Sequence, residues 1–268
     1  MNFYEWFFQE KDRTPEGLFS FGHIFSVTLT LVLFGVLAWL LAKKLKDNAK
    51  KQNLVLLIAG IAIVLVQIVK MFYICWSSPD SPIMEVLIGN APLYLCDMMI
   101  FIIPICALIK GRAKEICYDY IAIWGLLMGV MGTYAAGNIY GAHCVISFFA
   151  IVSLLNHAIS AFASLFVWLC SLNKMEKKNI PFVIGVLVVY MTVALIVDYA
   201  DHHNFMFFFH GDGTPFTFFE QNLSFNVIAI YQIEIYILQC GFMALFYVVY
   251  YWIISLIEKK KLQSEANS

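Results

Sequence analysis

The chain has 268 residues, of which 62% are hydrophobic and only 13% charged, against about half apolar and a quarter charged in a soluble globular chain. That balance excludes an ordinary water-soluble domain, and a formal net charge of −1 offers no electrostatic footprint for nucleic acid. The cysteines at 75, 96, 106, 117, 144, 170 and 240 fall in or beside apolar stretches with no CxxC pair, so neither a disulfide framework nor a metal site is expected.

The N-terminal segment, residues 1–19, carries Glu5, Glu10, Asp12 and Glu16, which does not suit the basic start of a cleavable signal peptide. Roughly 20 apolar residues cross a bilayer as a helix. Such runs follow at Phe21–Ala42, Leu54–Trp76, Pro92–Ile109, Ile116–Ala135, His143–Cys170, Pro181–Tyr199 and Val227–Ile257. The cations sort by side. Apart from Lys11, Arg13 and Lys70, every Lys and Arg lies in Lys43–Lys51, Lys110–Lys114, Lys174–Lys178 or Lys259–Lys261, at alternate breaks between these runs. The other breaks, 77–90, 136–142 and 198–226, carry none. Basic loops stay on the cytoplasmic side. The expectation is one all-α polytopic domain over residues 1–268, with seven transmembrane helices. Residues 1–19 lie outside, and 258–268 form a cytoplasmic tail, unstructured from Gln263.

Polar groups at membrane depth are expensive and mark interiors or water-filled cavities. Gln67 and Lys70, three apart, share a face of the second run. Cys96 and Asp97 sit early in the third. Ser153, His157, Ser160 and Ser164 recur at four, three and four, one stripe on a helix. Gln232, Glu234 and Gln239 belong to the last run, His23 to the start of the first, and His143 to the start of the fifth. The segment 198–212 adds Asp198, Asp201, His202, His203 and His210. These groups predict a pocket open to the outer leaflet or the exterior. Lys70 either snorkels to the interface or pairs with Asp97 or Glu234. Ser160 and Ser164 are the size of residue that lets membrane helices pack closely.

Short motifs in order resemble the YwaF-like family of bacterial integral membrane proteins: Phe19-Ser20-Phe21-Gly22-His23, Pro92-Leu93-Tyr94-Leu95-Cys96, Trp124-Gly125, Asn156-His157-Ala158 and Asn204-Phe205-Met206-Phe207. That family is distantly similar to a eukaryotic acyltransferase of ether phospholipids with an intramembrane Cys and His. The resemblance implies a bacterial plasma-membrane location, membrane phospholipids as substrate and no cofactor. It makes Cys96 a nucleophile and His157 its base, with Tyr94 standing where the family carries His.

On this reading a thiolate attacks an ester and a thioester forms. Pro92 starts the third helix, and Cys96 falls near its N-terminus, where the dipole favours a thiolate. Asp97 opposes that unless Lys70 neutralises it. Asn156 or Asn204 would donate to the oxyanion, and His23, Lys70, Tyr94, Asp97, His143 and Glu234 complete the pocket. Depth sets a condition. His157 lies roughly 21 Å below His143 along a helix, and Cys96 only about 6 Å below Pro92, so the two meet only if the fifth helix is tilted or projects outward. The alternatives are a proton-linked solute transporter or binding protein, whose polar groups belong at the midplane, and a non-catalytic scaffold subunit.

Overall fold

The structure, a computed structural model, describes residues 2–212, 214, 216–223 and 227–266. Among them the fold is all-helical, and six helices are long and apolar enough to cross a membrane. They are α2 (Phe21–Leu45), α3 (Ala49–Ser77), the continuous stretch of α6 (Gly111–Tyr120), a π turn (Ile121–Gly125) and α7 (Leu126–Tyr134), then α9 (Phe148–Leu169), α10 (Ile180–Asp201) and α12 (Ile228–Ala266). Short helix α1 (Phe3–Phe7) precedes them, and α4 (Ile83–Gly89), α8 (Gly137–Tyr140) and α11 (Phe216–Asn222) lie between them. The protein is a multi-pass helical membrane protein.

The third predicted span is shorter than expected. A 3-10 turn, Leu95–Asp97, leads into α5 (Met98–Leu108). Asp97 Oδ2 accepts from the Tyr94 amide at 3.2 Å and so caps the turn. Pro92 precedes the helix instead of opening it, and its carbonyl accepts from the Tyr190 hydroxyl. At 1.5 Å per residue such a helix covers about 20 Å of a hydrocarbon core about 30 Å thick. Its N-terminus therefore lies within the bundle. The fifth span also starts later than expected, at Phe148, where Ser147 Oγ accepts from the Ala150 amide. The backbone of α12 stays helical through Ala266, across part of the predicted unstructured tail, and residues 267–268 lie outside the described residues.

α9 is the central helix, packed against α2, α3, the π turn and α7. Glycines bring α6–α7 onto it. A Cβ on Gly125 would stand 2.6 Å from the Ser160 carbonyl oxygen, and one on Gly129 would stand 2.5 Å from Ala161 Cβ. The π turn frees the Ala122 carbonyl, which accepts from Ser164 Oγ at 2.8 Å and Trp168 Nε1 at 3.0 Å. Gly60 fits against Pro104, whose Cα would be 2.8 Å from an added Cβ, joining α3 to α5.

The basic runs gather at one end of the bundle. Asn53 Nδ2 donates to the Ala107 carbonyl at 2.9 Å, and the Lys114 ammonium donates to Asn53 Oδ1. Arg112 donates to the Lys178 carbonyl at 3.0 Å, Lys174 pairs with Glu115 at 2.5 Å, and Lys177 lies over the Tyr251 ring. Buried Asp119 organises this end by accepting from the Met175 amide at 2.9 Å and from Asn179 Nδ2 at 3.1 Å.

At the start of α9 the N-terminal segment forms a latch. Glu10 Oε1 meets His143 Nδ1 at 2.6 Å, Glu10 Oε2 accepts from the Cys144 amide at 2.5 Å, and Glu16 accepts from the Val145 amide at 2.8 Å. Arg13 donates to the Ile146 carbonyl at 2.8 Å. Burial penalises ionised Glu10, but the Cys144 amide and His143 outweigh it and hold the carboxyl below its ordinary 4.5. A depressed carboxylate stabilises the fold fully above the unfolded-state value and loses that contribution as pH falls through the folded one. Limited proteolysis of residues 1–19 should therefore be slow at pH 7 and accelerate below about pH 4. Glu10→Gln should be cut faster at pH 7; equal rates at both pH values would rule out a Glu10 latch.

Candidate functional site

Cys96 and His157 line one cavity of about 430 Å³, a volume within the ordinary range of small-molecule pockets. Its walls come from α3 (Gln67, Lys70), the turn before α5 (Tyr94, Cys96, Asp97), α6–α7 (Trp124, Met128, Gly132), α9 (Ser153, Asn156, His157) and α12 (Leu238, Gln239, Phe242). Met206 and Phe207 close it from the segment after α10. Two features of the chain bring both residues to this cavity. The turn carrying Cys96 lies inside the bundle, and His157 sits only nine residues into a helix that begins at Phe148.

The His157 ring is held in one orientation. Nδ1 is 2.7 Å from the Ser153 carbonyl, an acceptor only, so Nδ1 carries the proton. Nε2 is then the basic nitrogen and has no partner among the described residues. Space for it is left by a missing side chain: a Cβ on Gly132 would lie 2.1 Å from Nε2. The Cys96 turn is tied to the same helix. Asp97 Oδ1 accepts from Asn156 Nδ2 at 3.3 Å and lies 4.0 Å from Cys96 Sγ. Lys70 lines the cavity without forming an ion pair with Asp97 or Glu234.

The predicted polar stripe on α9 divides. Ser153 and His157 face the cavity, beside Asn156, whereas Ser160 Oγ returns to the Asn156 carbonyl at 2.9 Å and Ser164 cements the π turn. Of the residues expected in the pocket, Lys70, Tyr94, Asp97 and Asn156 line this cavity and His23, His143, Asn204 and Glu234 do not. His23 is fully buried in a structural role. Its Nδ1 accepts from the Phe19 amide at 3.0 Å, its Nε2 donates to the Thr133 carbonyl at 3.0 Å, and Tyr140 packs on the ring. His143 belongs to the latch. Glu234 is half-buried on α12 and does not line the cavity, and its Oε2 has no partner among the described residues.

Asn204 is not an oxyanion donor, because its amide is committed. Nδ2 donates to the His210 carbonyl at 2.8 Å and to Asp212 at 2.6 Å, and Oδ1 accepts from the Phe209 amide at 2.8 Å. These bonds, with Asp198 Oδ1 accepting from the Phe205 amide at 2.7 Å, fix a strained turn. Met206 and Phe207 both have left-handed backbones, φ 56° and 63°, a conformation costing about 1–3 kcal/mol per non-glycine residue. Asn204→Ala should therefore destabilise the protein by about 1–3 kcal/mol and loosen the cavity wall. Thermal unfolding checks this, and an unchanged midpoint would show that the turn holds without Asn204.

Sequence reasoning missed Gly132 and the strained turn. The first had a signal, since Gly125, Gly129 and Gly132 recur at four and three in an apolar run. The second had none, because Met206 and Phe207 are ordinary apolar residues in the sequence.

Neither a curated protein nor a solved structure matches the chain. The sequence model of the TMEM164 family does match, over residues 18–253, a range that includes every residue lining the cavity. The chain belongs to the TMEM164 family, a family of membrane proteins.

Proposed function

We propose that this protein is a membrane-embedded lipid acyltransferase or ester hydrolase with Cys96 as nucleophile and His157 as base. One observation carries the reading: Cys96 and an oriented His157 with an unpartnered Nε2 line the same largely apolar cavity. The resemblance of Pro92–Cys96 and Asn156–Ala158 to YwaF-like motifs, and through them to a Cys/His phospholipid acyltransferase, supports the same assignment. Cys96 Sγ attacks the ester carbonyl carbon as its proton passes to His157 Nε2. The tetrahedral adduct collapses to a thioester, and the departing alkoxide takes that proton. An acceptor hydroxyl or water then attacks the thioester and gives its proton to His157. Sγ leaves and is reprotonated from Nε2.

The positive-inside rule puts the basic end of the bundle in the cytoplasm, the N-terminus outside and the cavity toward the outer leaflet. The substrates are then phospholipids of a cell membrane, and the bacterial resemblance favours the plasma membrane. The test uses purified protein in phosphatidylcholine vesicles with a lysophospholipid acceptor, following acyl transfer and free fatty acid. The parent should turn lipid over and Cys96→Ala should not. An inert parent, or a Cys96→Ala variant as active as the parent, would overturn the assignment.

A further inference from the structure

The cavity has a neighbour on the lipid-facing side of the bundle. A groove of about 600 Å³ runs between the last turns of α3 and the short helix α4, lined by Met71, Phe72, Cys75, Ile83 and Leu87, with Gln67 at its inner end. Gln67 also lines the cavity, so the two spaces share a wall residue. Phe72, Ile83 and Leu87 expose apolar surface, which in a membrane protein meets hydrocarbon. Gln67 breaks this pattern. It is more than nine-tenths buried, and its carboxamide has no hydrogen-bond partner among the described residues. A buried amide left unpartnered is costly. The groove leads only apolar atoms toward it, so an oxygen acceptor carried on a hydrocarbon chain is the chemistry that satisfies it.

We infer that the α3–α4 groove is the lateral entrance through which an acyl chain of a bilayer lipid reaches the cavity, with Gln67 binding the ester carbonyl at the threshold. The occupant is a chain from the surrounding bilayer for two reasons. The groove adjoins the cavity, with Gln67 as a shared wall residue, and it lies along the last turns of a helix long and apolar enough to cross a membrane, whose ends fall near the depth of lipid ester groups. The inference rests on the lipid-enzyme reading for its consequence and not for its test, because chain entry is measured without turnover.

The experiment places the full-length protein in nanodiscs of phosphatidylcholine bearing a photoactivatable diazirine on one acyl chain. After illumination, labelled positions are mapped by peptide mass spectrometry. The parent should carry adducts both in the groove, on residues 71–87, and in the cavity, on residues 127–131 or 238–242. Leu87→Trp, which fills the groove from a half-exposed position, should reduce the cavity adducts at least ten-fold. Cys75→Phe, filling it from the opposite wall, should do the same, and Leu245→Trp on the exposed face of α12 should leave them unchanged. Cavity adducts that persist in both filled variants would overturn the entrance while leaving lipid binding in the cavity intact. Cavity adducts in a parent that carries none on residues 71–87 would overturn it too, because the chain would then enter by another route. An absence of cavity adducts in the parent would overturn the entrance and count against the lipid-enzyme reading itself.

Discussion

Gly132→Ala should reduce acyl transfer nearly as far as His157→Ala, by about 10²–10⁴-fold, the ordinary range for loss of a general base, while leaving the protein folded. The reason is local. The new methyl would lie 2.1 Å from His157 Nε2 and Cδ2, and the ring cannot swing aside without breaking the bond from Nδ1 to the Ser153 carbonyl. A turned ring loses both its fixed tautomer and its aim at the cavity. The lost hydrogen bond is worth only about 0.5–1.5 kcal/mol, so the melting temperature should fall modestly and kcat should fall steeply. Steady-state kinetics with thermal unfolding on one preparation separates the two effects. A Gly132→Ala variant with wild-type kcat would show that the His157 orientation is not used.

Gly125→Ala and Gly129→Ala should do the opposite, destabilising the bundle first and affecting activity through that loss. Their added methyls would meet atoms that cannot move aside, the Ser160 carbonyl oxygen at 2.6 Å and Ala161 Cβ at 2.5 Å. The helices must part instead. Overpacking of this kind costs about 1–3 kcal/mol per site, and parting α7 from α9 also releases the close packing that small residues give membrane helices. The measurement is the fraction of protein surviving a temperature series in detergent, read by size-exclusion chromatography. Survival equal to the parent in both variants would contradict the close glycine contact between α6–α7 and α9.

The contrast between these glycines shows what was legible in the sequence. The apolar runs and the alternation of basic breaks locate the membrane helices, because hydrocarbon imposes length and composition directly. The gathering of Lys114, Arg112, Lys174 and Lys177 at one end of the bundle follows from that alternation. The short third helix was not legible. Residues 92–94 are as permissible in a span as residues 98–108, and the start is set by the Asp97 side chain capping Tyr94. The site was partly legible. Asp97, Asn156 and His157 are polar groups where none should be, and they do line a cavity. His23 obeyed the same rule and misled, because backbone groups at Phe19 and Thr133 satisfy it completely. A sequence shows that a buried imidazole needs partners, not whether they are ligand or backbone.

The most direct test of the central claim is the mass of the intact protein. Parent and Cys96→Ala are incubated with phospholipid, acid-quenched at short times and weighed. The parent should show a hydroxylamine-labile gain of one acyl chain and the variant none. The same adduct on both proteins, or none on the parent at any quench time, would contradict the claim.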